Sequence, residues 1–147
     1  MPIGIAETVD DYELAFDVWS NVNHCAASDI VARPGSKVWG VLYEIPDNRI
    51  RRDTSPPGTR SLDAIEGGNY ERRSIRVRSR PDDAVIEAIT YTVRWANRRD
   101  DIQTSIDYVR FIVHGLREQG VAEDYIGRVK SIATTNNPGI AKQISAL

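Results

Sequence analysis

Apolar and polar residues alternate with a period of two over much of the first two-thirds of the chain. In residues 12–19 (YELAFDVW), Leu14, Phe16 and Val18 share one face, and this alternation predicts a β-strand. Runs rich in β-branched and aromatic residues also predict strands. On these two grounds we expect four further strands: a short one in 26–32, a buried one in 36–45, an alternating one in 70–79 and a long one in 84–96.

The last third of the chain changes to a helical period. Residues 104–120 carry apolar side chains at spacings near 3.6, with Thr104 or Ser105 as the N-cap and Gly120 as the stop. Residues 122–133 repeat this period, and Pro138 can open a last short helix. Strands followed by helices predict an α+β fold in which helices pack against a curved, mostly antiparallel sheet.

Two polar segments separate the predicted strands. Residues 46–60 (PDNRIRRDTSPPGTR) are rich in Pro and Gly, so we expect a mobile loop. Residues 61–67 (SLDAIEG) are too short for an independent helix, but Ser61 can cap one turn and Gly67 can end it. In that turn, Leu62 and Ile65 are expected to pack inward.

Composition narrows the class of protein. The 147 residues, 41% hydrophobic and 27% charged, predict one globular domain spanning 1–147. A net charge of −2 gives no general attraction to nucleic acid or an anionic membrane. The chain has no apolar run of about 20 residues and no secretory signal pattern. The single cysteine, Cys25, cannot form an internal disulfide, so we expect a cytoplasmic protein.

Glu66 is a candidate catalytic residue, and the local sequence permits this role. It precedes Gly67-Gly68, which lets a ligand approach the backbone, and Tyr70 follows four residues later. A partly buried carboxylate with a raised pKa could take and return a proton near neutral pH. The alternative is a solvated charge at the end of a helical turn, which is the commoner situation for a carboxylate.

The other potentially reactive side chains are expected to have structural roles. His24 and Cys25 are adjacent, so in an extended chain they point to opposite faces, and Cys25 is expected to be a small buried residue. His114 lies in the middle of a predicted helix, and the sequence contains no metal-ligand spacing, so we expect neither metal nor cofactor. The tryptophans are expected in the core: Trp19, Trp39 and Trp95.

A cluster of arginines in and just after the strand predicted in 70–79 offers an alternative site for phosphate or nucleic acid. Without aromatic stacking residues, and in a net acidic chain, a solvated strand face is the favoured interpretation, and we expect no nucleic-acid partner. The cluster comprises Arg72, Arg73, Arg76, Arg78 and Arg80.

Four segments, taken in order, resemble the γ-glutamylcyclotransferase-like family, also called AIG2-like or BtrG-like. They are PGSKVWGVLYEI (34–45), SLDAIEGGNYERRSIRV (61–77), AITYTV (88–93) and SIDYVRFIVHGLREQGVAEDYIGRV (105–129). The resemblance extends over residues 12–133. It implies a small mixed β-barrel with helices packed around it.

The resemblance also implies a reaction. In this family the α-amino group of a γ-glutamyl compound attacks its own γ-carbonyl, releasing 5-oxoproline and an amine or amino acid without a cofactor. A glutamate in an LDxxEG motif is the general acid/base, and LDAIEG (62–67) places that role on Glu66. Gly67, Tyr70 and Tyr108 fall where the family lines its substrate pocket.

The chain departs from the family pattern at its start. Family members usually begin with a strand and a Tyr-Gly-Ser-Asn loop whose amides hold the substrate's α-carboxylate, and the sequence has no such segment. Either the start codon is assigned too late, or the chain is a shortened member that lacks one barrel strand, whose unpaired edge would favour a homodimer. Alternatively, such a member is a non-catalytic binding module with the same fold.

Overall fold

Six strands and four α-helices are found in residues 2–51 and 61–147, the parts of the chain that the computed structural model describes. The strands precede all but one of the helices, and the α+β fold class is confirmed. The strands are β1 Pro2–Thr8, β2 Tyr12–Ser20, β3 Cys25–Ala32, β4 Trp39–Tyr43, β5 Tyr70–Arg80 and β6 Val85–Val93. The helices are α1 Leu62–Glu66, α2 Ile106–Glu118, α3 Glu123–Asn136 and α4 Ala141–Ser145.

The strands form a curled sheet and a separate hairpin. The four-stranded sheet has the order β4-β1-β5-β6, with every pairing antiparallel, and it curls into a half-barrel whose edge strands are β4 and β6. Strands β2 and β3 form the hairpin. The two units meet where the Asp29 side chain accepts a hydrogen bond from the Val93 amide at 3.0 Å.

The helices supply most of the larger of the two hydrophobic clusters. The long helix begins where the sequence predicted, with the Ser105 hydroxyl accepting a hydrogen bond from the Tyr108 amide. The apolar stripe of α2 packs with α3, α4 and the inner face of the β2–β3 hairpin. This burial is the main source of stability, at roughly 1.5–3 kcal/mol for each large aliphatic side chain. The fully buried members of the cluster include Val109, Val113, Ile126, Val129 and Ile144.

Some predicted positions are wrong. The strand expected in 84–96 ends at Val93, and Trp95 lies in a short 3-10 helix with 83% of its surface exposed, with the Arg98 guanidinium stacked on its ring. Trp19 is also exposed, at the turn end of the hairpin, whereas Trp39 packs partly against the core. The indole rings of Trp19 and Trp95 therefore lie at the protein surface, and Trp39 alone of the three tryptophans matches the expected core position.

Two further expectations are wrong because an element at the edge of the fold is covered by other residues on one side only. The strand expected to be buried in 36–45 is β4, and none of its residues is fully buried because it is a sheet edge. Ile65 is 52% exposed, since the single turn of α1 presents Leu62 and Glu66, rather than Ile65, to the cavity described below. In contrast, residues 2–8, for which the pattern predicted no element, form β1.

The loop expected in 46–60 is described only in part. Its first residues contain a 3-10 helix, Asp47–Arg49, and residues 52–60 lie outside the described residues. The expected mobility therefore stays a prediction. No helix in the described parts of the chain has the length and apolar character needed to cross a membrane.

Gly67 connects α1 to β5 through a left-handed backbone conformation, with φ of +72°. A Cβ atom there would meet no neighbouring atom, so the expected cost of Gly67→Ala is backbone strain alone, about 1–2 kcal/mol in the free energy of unfolding. Denaturant unfolding of Gly67→Ala and Gly68→Ala measures it. Gly68 has equal space and no left-handed φ, so a similar loss in both variants would contradict the explanation.

Candidate active site

A cavity of about 690 Å³ opens between the two edge strands of the half-barrel. Its polar end contains Ser28 from β3, Glu66 from α1, Tyr70 from β5 and Tyr108 from α2. Its remaining wall is mainly aliphatic and includes Leu42, Ile50, Leu62 and Ile86. The cavity therefore combines a few converging polar groups with an apolar wall, which is typical of a small-molecule site.

Glu66 is positioned at the cavity by the end of α1. The chain reverses at Gly67, and β5 then begins at Tyr70, so the carboxylate and the phenol enter the same space from two elements. Glu66 is half-buried, and this burial raises the pKa of its carboxyl group above the ordinary value of 4.5. A carboxyl group with a raised pKa exchanges a proton more readily near neutral pH.

Ser28 holds both predicted tyrosines through its main chain. The Tyr70 hydroxyl donates to the Ser28 carbonyl oxygen at 2.9 Å. The Tyr108 hydroxyl accepts from the Ser28 amide at 2.9 Å and lies 3.0 Å from the Ser28 hydroxyl. Burial, together with the nearby Tyr108 and Glu66, raises the pKa of the Tyr70 phenol, so it remains a proton donor at neutral pH.

The contact between the Ser28 and Tyr108 hydroxyls leaves one hydrogen unused. Only one of the two groups can donate across their 3.0 Å separation, and the other keeps its hydrogen. Both residues line the cavity. A ligand oxygen at this end can therefore receive a hydrogen bond from whichever hydroxyl does not donate to the other.

The sequence-predicted site residues are thus brought together with one difference. Glu66, Tyr70 and Tyr108 line the same cavity, whereas Gly67 lines a neighbouring cavity of about 440 Å³. In that second cavity, Asp63 accepts hydrogen bonds from Arg72 and from the Tyr91 hydroxyl. Gly67 contributes to the site by turning the chain after Glu66. Contact between Gly67 and a ligand stays a prediction.

The sequence analysis missed Ser28 and its neighbour Asp29. They are adjacent polar residues inside the otherwise apolar strand β3, which was the available signal. Because neighbouring strand residues point to opposite faces, Ser28 reaches the cavity while Asp29 reaches the junction with β2 and β6. Asp29 is only 4% exposed.

Asp29 and Asp17 form a buried carboxyl pair on the far side of β3. One Asp29 oxygen accepts from the Val93 amide, and one Asp17 oxygen accepts from Arg98 Nε at 3.0 Å. The other oxygen of Asp17 is buried and accepts no hydrogen bond from any donor in residues 2–51 and 61–147. A proton on Asp29 that bonds to Asp17 satisfies that oxygen, as expected when two carboxyl groups share one buried site.

Burial and the adjacent Asp17 carboxylate raise the pKa of Asp29 to about 6, against the lowering effect of the Val93 amide. Folding therefore favours the protonated form of Asp29. The stability that this proton contributes is complete below the ordinary pKa of 3.8 and is lost as the pH rises through about 6.

The remaining candidates do not join the site. Cys25 is buried, as predicted, and His24 sits in an exposed turn with φ of +54°. Within residues 2–51 and 61–147, no group of three or more His, Cys, Asp or Glu side chains could hold a metal ion. Intrachain partners occupy the arginines of β5: Arg72 pairs with Asp63, Arg73 with Glu71, Arg76 with Asp10 and Arg80 with Asp83, while Arg78 donates to the Asp83 carbonyl.

Asp29→Asn should remove the pH dependence that the shared proton creates. The Asn amide oxygen can still accept from Val93, and its NH₂ group can donate to Asp17 without titrating. Between pH 5 and 7.5 the wild type should therefore lose about 1 kcal/mol of unfolding free energy relative to Asp29→Asn. Denaturant unfolding at both pH values measures this, with the exposed Asp100→Asn as the control. Parallel pH dependences in wild type and Asp29→Asn would contradict the shared proton.

Comparison with known proteins agrees with this architecture. The structure is similar to the crystal structure of the uncharacterized protein loc79017 from Homo sapiens, with a TM-score of 0.73 and 23% sequence identity over 89% of this chain and 73% of that chain. No curated protein sequence matches. The sequence model of the AIG2-like family matches residues 37–129, which include α1, Glu66 and most of the cavity wall. The chain therefore belongs to the AIG2-like family, as its ordered motifs predicted.

Proposed function

We propose that this protein is a γ-glutamylcyclotransferase-type enzyme that releases 5-oxoproline from a small γ-glutamyl amine or γ-glutamyl amino acid. The observation that carries the proposal is the half-buried Glu66 carboxyl group, with its raised pKa, in a cavity that also presents two tyrosines. Membership of the AIG2-like family supports the cyclotransferase-like fold. The reaction and its substrate are the proposal.

In the proposed reaction, Glu66 carries a proton between two nitrogens of one substrate. The carboxylate accepts a proton from the α-amino nitrogen as this nitrogen forms a bond to the γ-carbonyl carbon. The bond from that carbon to the leaving nitrogen then breaks, and Glu66 returns the proton to the leaving nitrogen. The products are the five-membered lactam and a free amine, so atoms and charge balance without a further reactant.

The cavity suits this reaction in two other ways. Nucleophile and electrophile belong to one molecule, so a wall that holds the γ-glutamyl chain folded supplies much of the rate by orientation. The unused hydroxyl hydrogen at Ser28 or Tyr108 can stabilise the negative charge that develops on the γ-carbonyl oxygen. The aliphatic wall can accommodate the stem of the leaving amine.

Glu66→Gln is expected to reduce the release of 5-oxoproline by about 10²–10⁴-fold, because the amide cannot shuttle a proton. The assay uses γ-glutamylamines, γ-glutamyl dipeptides and glutathione, and circular dichroism verifies the fold. Glu118→Gln, an exposed change on α2, is the matched control and should retain activity. Full activity of Glu66→Gln would disprove the proposed role of Glu66.

The same assay addresses the alternative function. If neither the wild type nor Glu118→Gln turns over any of these compounds, the proposed reaction is wrong. A binding module with the same fold then remains as the second candidate, and calorimetry with the same compounds would test it.

Tyr108→Phe is expected to lower kcat by about 10–100-fold with a smaller change in KM, because a donor to the transition state is lost. It should also reduce stability by about 1 kcal/mol, since the Ser28 amide loses its acceptor. Ser28→Ala should be milder, because it keeps the amide bond and frees the Tyr108 hydrogen. Tyr43→Phe, on the exposed wall of the cavity, is the control. Equal kcat values in Tyr108→Phe and Tyr43→Phe would exclude this role for Tyr108.

A further inference from the structure

Strand β6 is a sheet edge without the features that usually prevent edge pairing. It pairs with β5 through nine register pairs without a bulge, and its other side has no neighbouring strand among the described residues. Its sequence, VIEAITYTV, contains no proline or lysine and a single charge, Glu87. The opposite edge, β4, is only five residues long and pairs with β1 through an irregular register. A long, regular edge strand is a ready template for another strand.

The backbone groups that face outward from β6 can be identified from the ladder. The Val9 amide donates to the Arg76 carbonyl, so the backbone groups of Arg76 face away from β6. In an antiparallel pair, the residue opposite then also faces away, and this residue is Glu87. Alternate residues share this direction, and the outward Val93 amide, which bonds Asp29, agrees. The outward-facing residues are therefore Val85, Glu87, Ile89 and Tyr91.

These four residues keep unpaired backbone groups. No hydrogen bond in the described parts of the chain reaches their outward N–H or C=O groups, and Val93, next in the series, is already bonded by Asp29. The side chains at this edge are apolar and exposed: Val85 and Ile89 each expose 49% of their surface and Ile86 exposes 37%. The edge thus presents both unsatisfied backbone groups and uncovered apolar surface.

We propose that a second copy of this chain pairs with β6 in antiparallel fashion, about a two-fold axis at Ala88. This register joins each outward residue to an outward residue of the other copy: Val85 to the partner's Tyr91, and Glu87 to the partner's Ile89. All four outward residues of each copy are used, in four hydrogen-bonded pairs. Ala88 meets the partner's Ala88 in a closely spaced pair, where a small side chain fits.

Charge repulsion and the availability of backbone groups distinguish this register from those with the axis one residue earlier or later. An axis at Glu87 would place two carboxylates directly opposite each other, which is destabilising. An axis at Ile89 would place Val85 opposite the partner's Val93, whose amide already bonds Asp29. The axis at Ala88 avoids both faults, and it places the β-branched Val85 opposite the partner's aromatic Tyr91, a favourable cross-strand pair. This self-complementarity is the reason to infer a second copy as the occupant.

The pairing also bears on the candidate active site. Six consecutive residues of β6, from 86 to 91, line the 690 Å³ cavity. Successive side chains of a strand point to opposite faces of the sheet, so a cavity on one face would contact only alternate residues. Because consecutive residues line this cavity, it follows the open edge of the strand. The partner's strand then becomes part of the cavity wall. The pairing itself does not depend on the proposed reaction.

Two substitutions at one position test the register by charge. Ile89→Glu places a carboxylate opposite the partner's Glu87 at two symmetric points and should weaken the dimer by about tenfold or more. Ile89→Lys places a cation there and should preserve the dimer. Light scattering on purified protein over a range of concentrations measures the mass, and circular dichroism verifies the fold. A wild type that remains monomeric, or equal weakening by both variants, would overturn the proposal.

Cysteine cross-linking tests the axis directly and does not rely on destabilised variants. Two Cα atoms in a closely spaced antiparallel pair are about 4.5 Å apart, which permits a disulfide. Ala88→Cys should therefore cross-link to its copy under mild oxidation. Thr90→Cys, displaced by four residues and roughly 14 Å from its copy, should not. The native Cys25 is buried and does not compete. Failure of Ala88→Cys to cross-link, or equal cross-linking of both variants, would disprove the axis.

Discussion

The dipeptide Ser28-Asp29 in β3 is the constraint on which the rest of this structure depends. Through Ser28 the hairpin holds the tyrosines that begin β5 and occupy the first turn of α2. Through Asp29 it holds the end of β6 and the carboxylate of Asp17. Because the two side chains leave the strand on opposite faces, one short segment joins the sheet, the hairpin and the helices. The polar end of the cavity is built on that junction.

The carboxyl groups near this junction differ in their surroundings and therefore in their chemistry. Glu66 has its pKa raised by burial alone and faces the cavity. Asp29 has its pKa raised by burial and by Asp17, but it lies behind β3, where it accepts a hydrogen bond from the Val93 amide at the end of β6. Arg98 compensates the charge of Asp17 on that side. The carboxyl group that faces the cavity and the carboxyl pair at the strand junction are thus separated by the thickness of one strand.

The half-barrel also explains why the cavity is open. A sheet of four curled strands leaves two edges, and the cavity lies between them. The β4 edge is short and irregular, whereas the β6 edge is long, regular and without a neighbouring strand in the described parts of the chain, so the two walls of the same cavity differ in their capacity to bind another strand.

The sequence by itself determined the elements with a strong period and the candidate acid/base. Strands β2 and β5, helices α2 and α3, the Ser105 cap and the turn at Gly67 depend on local alternation, capping and backbone freedom, so neighbouring residues suffice to predict them. The order of four motifs then pointed to the family and to Glu66. Only the tertiary structure decided that β1 exists, that Trp19 and Trp95 are exposed, and that Ser28 meets Tyr70 and Tyr108. Contacts between residues 42 and 80 positions apart, such as these hydrogen bonds, leave no periodic signal in the chain, because they depend on how the folded elements are placed against each other.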